Sequence, residues 1–171
     1  KLDEPFWKTD CVVSKKVKGN PSCTARFGAV YHGGAIYIAV QVTDNIISSE
    51  RGDAWDRDGI EVYIDQQNDH EKEYNAGDCR IVCPFSGSTY VKNIEEKRVK
   101  SAFVRTETGY TAEICIGLNG TRKPNTVYGL DIAINDHDGK ETGQLVWRGT
   151  ADNATDPSNF GALIFLDKQV K

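Results

Sequence analysis

The densest concentration of groups able to do chemistry lies in residues 52–65, GDAWDRDGIEVYID, where a loop rich in glycine and acid delivers Trp55 just ahead of a strand. A core tryptophan normally sits inside an apolar alternation, whereas Trp55 is flanked by Asp53, Asp56, Arg57 and Asp58. These neighbours favour an exposed indole, a flat apolar platform suited to the C–H face of a sugar ring, with one N–H left for polar contacts. The competing reading is a loop tryptophan folded back as a lid on the core. Glu61 lies opposite Ile60, Val62 and Ile64, and Arg80 opposite Ile81, Cys83 and Phe85, so both are expected to face away from the core. A carboxylate that accepts several hydrogen bonds and a guanidinium that donates several could clasp sugar hydroxyls in front of the indole. An ordinary surface ion pair would leave the same trace in the sequence.

The elements that must position these side chains are strands. Period-two alternation runs from end to end, and nowhere do apolar residues keep a helical spacing for three turns. The clearest strands carry Ile36, Ile38, Val40 and Val42; Ile60, Val62 and Ile64; Tyr110, Ala112, Ile114 and Ile116; and Tyr128, Leu130, Ile132 and Ile134. Weaker ones are expected at 25–31, 80–85, 101–106, 145–148 and 162–166, about nine in all. His32-Gly33-Gly34 reads as a tight hairpin because glycine reaches positive φ cheaply, and Thr108-Gly109 and Asp138-Gly139 look similar. Many short antiparallel strands with such turns indicate an all-β fold, an antiparallel β-sandwich of jelly-roll or immunoglobulin-like type, with one domain over residues 1–171.

Composition narrows the partners. The 21 Lys and Arg are outnumbered by 25 Asp and Glu, and no basic cluster is dense enough to follow a phosphate backbone, so no nucleic-acid partner is expected. No apolar run approaches the roughly 20 residues that cross a bilayer, and the first residues lack the apolar stretch of a signal peptide, so no membrane partner is expected and the chain reads as part of something larger. The cysteines at 11, 23, 79, 83 and 115 are too sparse for a disulfide scaffold and lack zinc spacing. Cys79 and Cys83, four apart in one strand, are separated by ~13 Å, beyond disulfide reach. If any pair is bridged, Cys11 with Cys23 is the expectation.

Catalytic motifs are scarce. His70-Glu71 lacks the second histidine of a zinc protease helix, and there is no Gly-x-Ser-x-Gly elbow, P-loop or dinucleotide fingerprint. Asp56, Asp58 and Glu61 could in principle supply a glycosidase pair, but acid in a loop is usually just solvated, and no enzyme activity is expected. Asn119-Gly-Thr121 and Asn153-Ala-Thr155 are glycosylation sequons that matter only in a eukaryotic source.

In order and spacing, a set of landmarks resembles the family-nine carbohydrate-binding modules, accessory domains of enzymes that degrade plant cell walls. These landmarks are Leu2-Asp3-Glu4 with Trp7, residues 36–44 (IYIAVQVTD), residues 55–65, Gly109-Tyr110 to Glu113, Gly129 to Asp131 into Asn135-Asp136-His137-Asp138, Leu145 to Trp147, and Asn159-Phe160-Gly161-Ala162-Leu163. The resemblance covers almost the whole chain. It implies a non-catalytic, extracellular β-sandwich, joined to other domains of a larger secreted enzyme. Such a module holds structural calcium and binds cello- or xylo-oligosaccharides between two aromatic side chains, often at a reducing end. Carried onto this sequence, Trp55 matches the first aromatic, Glu61 the polar residue six places on, and Arg80 the basic residue of the next strand. The second aromatic is Trp147 or Phe160, with Asn153 and Asn159 as polar neighbours. Trp147 shares parity with Leu145 and could equally belong to the core. Asp136 and Asp138, with Gly139, have the character of calcium ligands, though simple hairpin chemistry favours the same residues. Two other functions remain open. A haem-binding sandwich would have to use His32, His70 or His137, since the chain has no methionine. A protein-interaction domain would use Trp55 and Arg80 as hot spots.

Overall fold

The computed structural model describes residues 4, 7–48, 52–118, 123–139 and 141–166. Among these, twelve strands form two antiparallel sheets packed face to face. One sheet runs β1 (Cys11–Val13), β3 (Thr24–His32), β4 (Ala35–Thr43), β9 (Gly109–Gly117) and β8 (Val99–Thr106) from edge to edge. The other runs β2 (Lys15–Lys18), β11 (Glu141–Val146), β10 (Val127–Asp138), β5 (Gly59–Asp65), β6 (Asp78–Pro84) and β7 (Tyr90–Lys92), and β12 (Gly161–Ile164) also pairs with β10.

Alternation explains the core. Ile36, Ile38 and Val40 of β4 and Ile114 and Ile116 of β9 belong to one buried cluster with Ile60, Val62 and Ile64 of β5, Ile81 of β6, and Ile132 and Ile134 of β10. Each such side chain contributes about 1.5–3 kcal/mol by leaving water. The β3–β4 turn is Gly33-Gly34, with φ of 58° and 84°, and His32 pairs with Ala35. Positive φ at both central residues matches the right-handed twist of the flanking strands.

Three short strands, β1, β2 and β7, carry too few residues to show alternation. Several boundaries also differ from the sequence reading by one to four residues. The expected strand at 145–148 is β11, which starts at Glu141 and ends at Val146. All five cysteines are free thiols, so the expected Cys11–Cys23 bridge is absent. Cys11 lies opposite Phe27 in the β1–β3 ladder, while Cys23 is buried in the loop before β3.

The feature that shapes the site is the length of β10. Residues 133–138 pair with β11 and residues 127–130 pair with β12, so β11 and β12 share one edge of the same strand. The chain between them, residues 147–160, leaves that edge and returns to it. It covers part of the outer face, where Phe160 closes a second small cluster with Tyr63, Ala133 and Val146. For this reason β5 is buried along its whole length, on both faces.

Candidate functional site

Side chains on the outer face of the larger sheet follow from register. Glu61 and Tyr63 of β5, Arg80 of β6, Asn135 of β10 and Gln144 of β11 all point away from the main core. Glu61 is at their centre and is 1 % exposed. Its Oε2 accepts from the Tyr63 hydroxyl at 2.6 Å and from Arg80 Nε at 2.7 Å. Its Oε1 accepts from Asn135 Nδ2 at 2.8 Å and Gln144 Nε2 at 3.3 Å, and the Gln144 amide also donates to Asn135 Oδ1 at 2.7 Å. Glu61 does face away from the core, as expected, but it is a saturated anchor and not a solvated carboxylate. The network fixes the orientation of every donor around it, which low local dielectric strengthens.

Burial works to lower the Arg80 pKa, but the bond and charge of Glu61 raise it further, so the guanidinium stays charged. Burial, then the Glu61 charge, pushes the Tyr63 phenol far above its ordinary range, so it remains a donor.

Trp55 stands over this floor in a one-turn 3-10 segment, Ala54–Asp56, that follows Asp53. The segment is tied down by Asp53 N–H donating to Asp56 and by Arg57 donating to the carbonyls of Ser86 and Gly52. The indole is 37 % exposed, with the Arg80 guanidinium carbon 5.2 Å from its ring centroid and the Tyr90 ring edge-to-face at 5.3 Å. A cation held against an aromatic ring fixes its position.

The far wall of the cleft comes from residues 147–160. Asp131, opposite Tyr63 across the β10–β5 ladder, accepts from the N–H groups of Arg148 at 2.8 Å and Gly149 at 3.0 Å and from the Asn153 amide. Asn153 also caps the turn by accepting from Thr150 N–H at 2.7 Å. Gly149 is required here, because a Cβ would lie 2.0 Å from Asn153 Oδ1. Trp55 precedes the start of β5 while this loop is stapled toward its end, so the two bound a cleft of about 170 Å³. Its lining includes Trp55, Glu61, Arg80, Asn135, Gln144, Ala151 and Ala154.

The remaining expected binding residues lie elsewhere. Trp147 packs against the main core and meets Phe27 edge-to-face at 5.2 Å, following its parity with Leu145. Phe160 is 5 % exposed and lies beside Tyr63 in the second cluster, so its ring is no open platform. Asn153 is buried and spends its amide on Asp131, to which it donates, and on Thr150 N–H, from which it accepts. Asn159 is exposed, donates to the Ser158 hydroxyl and does not line the cleft. None of the four lines the cleft.

On β10, Asp136 and Asp138 point to the side opposite Asn135 and meet Asp44 at the end of β4, with carboxylate oxygens of all three within 4.8 Å of one another. Asp136 accepts from the N–H groups of Ser22 and Cys23, Asp138 from the Ser22 hydroxyl, and Asp44 from Ile46 N–H. One buried oxygen of each, Asp44 Oδ2, Asp136 Oδ1 and Asp138 Oδ1, has no hydrogen-bond donor. Burial, and then the Asp136 and Asp138 charges, push the Asp44 carboxyl up. Three converging carboxylates with orphaned oxygens fit a hard cation that takes oxygen ligands.

A family model described as carbohydrate family 9 binding domain-like matches residues 1–168. The chain belongs to this family. Among curated relatives, an endo-1,4-beta-xylanase C of Paenibacillus barcinonensis is 28 % identical over 97 % of the chain, and an exoglucanase, XynX, of Acetivibrio thermocellus is 28 % identical over 98 %. The chain spans 16 % of the length of each. Two solved structures of a family-nine carbohydrate-binding module from Caldicellulosiruptor kristjanssonii, in complex with glucose and with cellotriose, share the fold. Their TM-scores are 0.85 and 0.82 at 17 % identity, covering 98 % of this chain and 94 % and 92 % of theirs.

Sequence reasoning about this family-nine module missed Tyr63, Asn135 and Gln144 as partners of Glu61, and Asp44 beside Asp136 and Asp138. Parity would have placed Asn135 and Tyr63 on the outer face. Gln144 was hidden because the expected strand started at Leu145, four residues after β11 begins. Asp44 had no local signal, since only the β-sandwich brings the end of β4 to the end of β10. The Asp131 staple gives a direct prediction. Asp131→Ala strands two N–H groups and the Asn153 amide, and should cost about 3 kcal/mol, a Tm fall of about 6–12 °C by calorimetry. An unchanged Tm would contradict this account of the loop.

Proposed function

We propose that this family-nine module is a non-catalytic sugar-binding domain that takes a terminal mono- or disaccharide unit of a cellulose- or xylan-type polysaccharide into the Trp55 cleft. The observation that carries the reading is one exposed indole set over a hydrogen-bonding floor of Arg80, Asn135 and Gln144 that Glu61 holds in place. Stacking supplies area, and fixed donors and acceptors supply orientation. The small cleft suits one ring at a chain end, reducing ends included, better than a chain running through. The C. kristjanssonii modules in complex with glucose and cellotriose support the ligand class. The xylanase and exoglucanase relatives support an extracellular role beside other domains of a larger enzyme.

Glu61 is read as a binding anchor and not a general acid. It already accepts four hydrogen bonds, one from an arginine, whereas a glycosidase acid must carry a proton to deliver. Asp44, Asp136 and Asp138 are read as a structural calcium site. An ion there would supply charge balance and tie the end of β4 to β10, whose other face carries Asn135.

Titration with glucose, xylose, cellobiose and xylobiose, followed by tryptophan fluorescence, tests the function. A saturable change with at least one sugar, weaker for its borohydride-reduced form and without new reducing ends over hours, is expected. No response to any sugar, or release of reducing ends, would overturn the reading.

A further inference from the structure

We infer that Tyr90 is a second aromatic platform, set outside the cleft, that holds the next sugar ring of a bound chain. This rests on the reading of the Trp55 cleft as a sugar site. Residues 148–159 of the far wall contain no aromatic, and where the loop lines the cleft it presents Ala151 and Ala154. That wall therefore presents no aromatic ring to the cleft. Among the described residues, only two aromatics stand with the exposed large hydrophobic side chains, Trp55 at 37 % and Tyr90 at 38 %. These two touch each other, with ring planes at 86°.

Register explains the meeting. Tyr90 of β7 lies opposite Val82 of β6, two residues along from Arg80, on the outer face that also carries Glu61. The Arg80 guanidinium carbon lies 5.2 Å from the Trp55 centroid and 5.8 Å from that of Tyr90, so one cation locks both rings into a corner. A ring stacked on Trp55 inside the cleft leaves its neighbour in the chain to emerge at this corner, against the exposed tyrosine. Contiguous exposed aromatic surface around a fixed cation is costly to keep in water and useful for gripping successive pyranose rings.

The test is calorimetric titration of the wild-type module, Tyr90→Ala and Tyr90→Phe with glucose, cellobiose and cellotriose, and with the matching xylose series. The wild type should gain about fivefold or more in affinity on going from the monosaccharide to the longer sugars. Tyr90→Ala should lose that gain, so that affinity no longer rises with chain length whatever its value for the monosaccharide, and Tyr90→Phe should keep it. Equal loss at every length, which would make Tyr90 merely a prop for Trp55, or no gain with length in the wild type, would overturn the inference and leave the cleft standing. Absence of binding to any sugar would instead remove the cleft reading and this inference with it.

Discussion

Trp55→Ala should lower affinity for the preferred sugar by about 10- to 100-fold while leaving the β-sandwich folded. The indole is more than a third exposed and anchored by Arg80 and Tyr90 at the surface, so its removal opens no cavity in the main core. A large aromatic face covered by a ligand is worth about 1.5–3 kcal/mol, and each 1.4 kcal/mol is tenfold in affinity. Calorimetric titration beside a thermal melt separates the two effects. Trp55→Phe should fall between, because it keeps a smaller face. Affinity within twofold of wild type in a folded Trp55→Ala protein would show that the sugar does not stack there.

Chelation should be the other large effect. With calcium at about 100 times its dissociation constant, a site present only in the folded state stabilises by about 2.7 kcal/mol. For a chain of this size that is a Tm difference of about 5–10 °C between calcium and EDTA. Asp44→Asn should remove most of that difference, because one of the three converging carboxylates loses its charge. Identical melts in calcium and EDTA would contradict the metal reading of Asp44, Asp136 and Asp138, and would leave their orphaned oxygens to be explained by water alone.

Legibility in the sequence followed the range of the forces involved. The long strands β4, β5, β9 and β10 were readable because alternation over seven to twelve residues is a local pattern. The three-residue strands β1 and β7 carry no such pattern, and they exist because longer neighbours offer an unpaired edge. The family resemblance, read from ordered landmarks, agrees with the family model. The exposure of Trp55 and the outward direction of Glu61 and Arg80 were legible for two reasons: charged neighbours kept the indole out of the core, and parity put the other two on the outer face. Sequence could not say that Glu61 would be buried, because its burial depends on Asn135 and Gln144, more than seventy residues away. Phe160 and Trp147 show where local sequence could not choose the second aromatic. Both sit near polar residues, yet the return of the chain to the edge of β10 folds Phe160 under the loop against Tyr63 and turns Trp147 against Phe27.

The most direct test of the central claim, that the space between Trp55 and residues 151–154 is a sugar site, is a nitrogen–proton NMR titration of the intact module with cellobiose and xylobiose. The account predicts saturable shifts of the Trp55 indole N–H, the Asn135 and Gln144 side-chain amides and the Arg80 Nε–H, with the outer face of the five-stranded sheet unmoved. Shifts confined to that other sheet, or none in the cleft at saturating sugar, would contradict it.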